Sequence, residues 1–120
     1  GLRLKLPAMR KPPLGPRGIP TRAEEPFAEF KAELGESSFD DSFVLMEEQA
    51  SFSIAGRGRR ITAEFIAGYP YVQVYAPKDK DCIALEPMTA PASALTSGRG
   101  LRIVAPGGQF RAVFRIGVET

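Results

Sequence analysis

Glu86 stands between the apolar run Cys82-Ile-Ala-Leu85 and Pro87. Proline cannot donate a ladder hydrogen bond, so the run predicts a buried strand that ends near Glu86 and leaves its carboxylate half out of the core. Partial desolvation there would strengthen it as a general base for abstracting a proton from a hydroxyl. Upstream, Gln73 and Tyr75 in Tyr69-Pro-Tyr-Val-Gln-Val-Tyr-Ala-Pro77 share one face of a second strand, because side chains alternate across a sheet. If the two strands are neighbours, an amide, a phenol and a carboxylate converge on one surface. Asp40 and Asp41, in Ser37-Ser-Phe-Asp-Asp-Ser-Phe43, add two further carboxylates in a context that predicts an Asx-type turn.

Each of these residues also has a purely structural reading. Glu86 can accept backbone hydrogen bonds at a strand end, Gln73 can be a polar residue on an exposed sheet face, and the aspartates can stabilise a turn. Cys82, the sole cysteine, reads as a small buried hydrophobe, because the chain has no histidine to activate it as a nucleophile. The same absence argues against a zinc site, and no Gly-rich phosphate loop precedes a helix, so neither a metal nor a nucleotide cofactor is expected.

The elements that must position these groups read as strand after strand. Gly1–Leu6 alternates apolar and basic residues, the period of a half-buried strand. Further strands are expected at Phe43–Met46, Ala50–Ile54, Arg60–Ile66, Tyr71–Tyr75, Cys82–Leu85, Leu101–Val104 and Phe110–Val118, separated by turns rich in Gly, Pro, Asp or Ser. The fold class is therefore all-β, an antiparallel β-sandwich. Residues 7–26, with Pro7, Pro12, Pro13, Pro16, Pro20 and Pro26, predict a long loop, and Phe27 and Phe30, three apart, suggest one or two helical turns over 24–34. Arg57-Gly-Arg-Arg60 reads as a solvated hairpin turn.

The chain's 120 residues suffice for one core. With 43% hydrophobic and 25% charged residues it has an ordinary globular composition, and no apolar run approaches the roughly 20 residues of a membrane-spanning helix. A net charge of +2 is too small to suggest nucleic acid or an anionic membrane as partner. The lone cysteine and the lack of anything resembling a secretory signal fit a cytoplasmic setting.

Tyr-Pro-Tyr-Val-Gln-Val-Tyr75 and Ala-Leu-Glu-Pro-Met-Thr-Ala-Pro91 resemble the last blocks of the aldose 1-epimerases (galactose mutarotases), as do Gly18-Ile-Pro-Thr21, Phe39-Asp-Asp-Ser-Phe43 and the turn Ala105-Pro-Gly-Gly-Gln-Phe110, all in the family's order. The resemblance covers nearly the whole chain, so residues 1–120 compare with the C-terminal portion of a considerably longer β-sandwich domain. It implies interconversion of the α and β anomers of a free aldohexose, glucose or galactose, with Glu86 as the base and Asp40, Gln73 and Tyr75 on the sugar. The family's general acid is a histidine from the N-terminal half, which this chain would need as a partner. A non-catalytic carbohydrate-binding sandwich is the alternative, and a glycosidase using Asp40 and Glu86 a more distant one.

Overall fold

The computed structural model describes residues 1–12, 24–91 and 94–120. Two five-stranded sheets face one another, and every neighbouring pair is antiparallel. In chain order the elements are β1 (Arg3–Leu6), β2 (Met9–Lys11), β3 (Glu25–Phe27), β4 (Phe30–Glu33), β5 (Phe39–Leu45), β6 (Ala50–Gly56), β7 (Arg59–Ala67), β8 (Tyr71–Ala76), β9 (Ala84–Met88), the short helix α1 (Ala94–Ser97) and β10 (Val113–Glu119). The first sheet runs β10-β7-β6-β1-β4 and the second β3-β2-β5-β8-β9. The all-β sandwich expected from the alternating segments is the observed architecture.

Alternation sets the layers. In β1 the basic Arg3 and Lys5 face out while Leu4 and Leu6 are fully buried. Phe52 and Phe65 join them from the first sheet, opposite Met9, Phe43, Val72, Val74 and Ala76 of the second. Aromatic pairs tie the interior together: Phe52 and Phe65 have ring centroids 4.7 Å apart, as do Phe27 and Phe43. Each ring removed from water contributes about 1.5–3 kcal/mol. The hairpin between β6 and β7 turns at Arg57 (φ 52°) and Gly58 (φ 74°), two left-handed residues that match the twist of the flanking strands.

Five expectations are corrected. Residues 24–34 form no helix: β3 and β4 cross from one sheet to the other there, so Phe27 packs on Phe43 and Phe30 on Phe39. A segment this short makes few internal helical bonds, whereas both sheets offer it an edge to pair with. The Pro-rich stretch 7–26 is strand at both ends, β2 and β3, and Pro26 is tolerated because β3 is an edge; Pro13, Pro16, Pro20 and the Gly18–Thr21 segment lie outside the described residues. No strand forms at Leu101–Val104, and the last strand begins at Val113 instead of Phe110. Cys82 is exposed, because the strand after it starts only at Ala84.

Only residues 28 and 29 separate β3 from β4, which places these two edges on one flank of the sandwich and leaves β9 and β10 as the edges of the other. Among the described residues no helix is long and apolar enough to cross a membrane. Phe52→Ala should empty a fully buried site and lower the unfolding free energy by about 3–5 kcal/mol in urea titrations; a loss under 1 kcal/mol would mean that the ring is not part of a packed core.

Candidate functional site

Val72, Val74 and Ala76 of β8 are buried, so the intervening Tyr71, Gln73 and Tyr75 must stand on the outer face of the second sheet. Phe39 and Phe43 anchor β5 in the same way and turn Asp40 and Ser42 outward. The ladder register then brings the polar groups into rows. Ser42 pairs with Gln73 and Gln73 with Glu86, while in the adjacent row Asp40 pairs with Tyr75. The four residues expected to act together therefore occupy one face of three consecutive strands.

Hydrogen bonds orient this face. Gln73 Nε2 donates to Asp40 Oδ1 at 3.0 Å, and Ser42 Oγ donates to Gln73 Oε1. The amide is held at both ends, and among the described residues one N–H of its NH2 group is left for an outside acceptor. Asp41 plays a different part: its side chain takes the opposite parity and forms an ion pair with Lys11 at 2.8 Å. The two adjacent aspartates are thus separated by alternation, Asp40 to the polar face and Asp41 to a charge pair with Lys11 of the neighbouring β2. Both lie within β5 instead of the expected turn, because Phe39 is itself a core residue and extends the strand.

Glu86 also differs from expectation. It sits in the middle of β9, which continues through Pro87 to Met88, and its side chain is exposed where partial burial was predicted. The strand survives its proline because β9 is the outermost of the sheet and needs ladder bonds on one side only. Among the described residues Glu86 has no hydrogen-bond or ion-pair partner, so its carboxylate is open to a ligand. Tyr75, 40% exposed, lies along the same surface.

Two contributors were missed by sequence reasoning. Ser42 was legible in principle, since it lies two residues beyond Asp40 on an alternating strand. So was Tyr71, two residues before Gln73 on its strand; what the sequence did not show is the approach of Gly100, far along the chain, where an added Cβ would come within 2.6 Å of the Tyr71 hydroxyl. Gly100 has φ 70°, so a side chain there would be strained as well as crowded. The loop after α1 thereby passes beside the Tyr71 end of the face, where Tyr71 and Gln73 are half-buried and Tyr75 and Glu86 are exposed.

Two carboxylates, an amide, a hydroxyl and two phenols form a surface of donors and acceptors suited to a neutral polyol, with a negative bias that disfavours anions. Among the described residues no cluster of His, Cys, Asp or Glu could hold a metal ion. Because the site is on the surface, Gln73→Leu should change the unfolding free energy by no more than about 1.5 kcal/mol and leave the circular dichroism unchanged; a larger loss would make the Ser42–Gln73–Asp40 chain a folding element.

No protein-family model, no curated protein and no solved structure matches the chain.

Proposed function

We propose that the chain is the C-terminal part of an aldose 1-epimerase, acting on a free aldohexose with Glu86 as general base. The observation that carries this reading is the cross-strand pairing of Gln73 with Glu86, together with the hydrogen bond from Gln73 to Asp40. Residues brought forward by resemblance from separate segments meet on one face, with groups that suit sugar hydroxyls.

In the proposed reaction Glu86 takes the proton of the anomeric hydroxyl while an acid protonates the ring oxygen. The ring C–O bond then breaks and a carbonyl forms at the anomeric carbon. Rotation about the adjacent carbon–carbon bond presents the other face of the aldehyde, and reversing both proton transfers closes the ring as the opposite anomer. Gln73 and Asp40 would hold neighbouring hydroxyls, and Tyr75 would lie against the sugar's apolar side. The chain has no histidine, so the acid must come from a partner polypeptide corresponding to the N-terminal half.

The exposure of Glu86 favours a second reading, a carbohydrate-binding sandwich without catalysis, since an open carboxylate accepts hydroxyl hydrogen bonds with no proton transfer. For a glycosidase, Asp40 and Glu86 stand on strands separated by β8, two ladder spacings or roughly 10 Å.

Polarimetry on freshly dissolved α-D-glucose, using the chain together with the upstream polypeptide of its reading frame, is expected to show accelerated mutarotation. Glu86→Gln should reduce the catalysed rate by about 10²–10⁴-fold. An unchanged rate in that variant removes Glu86 as base, sugar binding without acceleration favours the second reading, and release of an aryl leaving group from a glycoside favours hydrolysis.

A further inference from the structure

Strand β10 forms one edge of the first sheet and pairs only with β7 among the described residues. Phe114, Ile116 and Val118 stand opposite Phe65, Ala63 and Ile61, on the side of the sheet that faces the core. They are only partly covered: Phe114, whose ring meets Tyr69 at 6.1 Å between centroids, is 47% exposed, Ile116 61% and Val118 62%. Arg115, Gly117 and Glu119 alternate with them on the outer side. An open edge with an uncovered apolar face is a template for another strand.

We propose that this edge is a homodimer interface, in which β10 pairs antiparallel with β10 of a second copy about a two-fold axis through Gly117. The strand is self-complementary in that register. Arg115 falls opposite Glu119 of the other copy, Ile116 opposite Val118, and Gly117 opposite Gly117, each relation occurring twice or on the axis. Existing cross-strand neighbours extend the pattern, since Arg60 already meets Glu119 at 3.7 Å and Arg115 stands beside Glu64. The outer row across the junction therefore reads Arg60, Glu119, then Arg115 and Glu64 of the second copy, with signs alternating throughout. Beneath it runs an unbroken apolar row of Ile61, Val118, then Ile116 and Ala63.

The neighbouring two-fold registers that keep the faces aligned lose this match. One sets Arg115 opposite Gly117, another sets it opposite its own copy, and a third carries it beyond the strand's end. Like charges directly opposite are unfavourable and unpaired ones gain nothing, so charge selects the register and the apolar row supplies attraction. No side chain stands at the axis, because the residue there is Gly117. Such a contact is isologous and closes at two copies.

Sedimentation equilibrium of the 120-residue chain at micromolar concentration tests this. The expected result is a species of twice the chain mass. Arg115→Glu and Glu119→Arg should each raise the dimer dissociation constant at least tenfold, and the Arg115→Glu/Glu119→Arg double variant should restore it, because the swap recreates the same pairs with signs reversed. Ile116→Lys, checked for native circular dichroism, should give monomer. A monomeric parent chain, a dimer indifferent to the single charge changes, a failure of the double variant to recover, or occupation of β10 by another polypeptide in place of a second copy would each overturn the proposal.

Discussion

Everything on the polar face of the second sheet depends on the burial of Val72, Val74 and Ala76. These three side chains clamp β8 against the core, and a slip of one residue would carry all of them to water and drive Gln73 into the interior. The apolar penalty for such a slip is several kcal/mol, far beyond what the hydrogen bonds on the outer face could offset. Core packing, not polar contact, therefore sets which groups meet. The Ser42–Gln73–Asp40 chain refines orientation within a register decided elsewhere.

The same hierarchy explains what could be read without coordinates. Strands such as Arg59–Ala67 and Tyr71–Ala76 were legible because their periodicity reflects local burial, and the Arg57-Gly58 turn because its chemistry is local too. Alternation alone was enough to place Gln73 and Tyr75 together. Residues 24–34 were misread because their fate is decided by two partners distant in sequence: β2 and β1 each accept a short strand, and Phe27 and Phe30 serve opposite layers instead of one helical face. Leu101–Val104 shows the converse, an alternating segment for which the described sheets offer no neighbour.

Glu86 illustrates a limit of reading proline as a stop signal. The inference that a strand must end before Pro87 holds for a central strand, which needs donors on both sides. On the outermost strand one side is idle, and the ladder continues to Met88. The consequence reaches the chemistry, because a mid-strand position on an outer face leaves the carboxylate exposed and beside Gln73, where a strand-end position was expected to hold it half out of the core.

Pro87 also makes the two open edges of the β9/β10 flank unequal. A ring nitrogen without hydrogen interrupts the donor row of β9, so that border of the second sheet is a poor seed for extension. The first sheet has no such interruption along Val113–Glu119. On this flank growth by strand addition is thereby channelled to the β10 rim, and runaway stacking of copies through both layers at once is frustrated there by one imino acid.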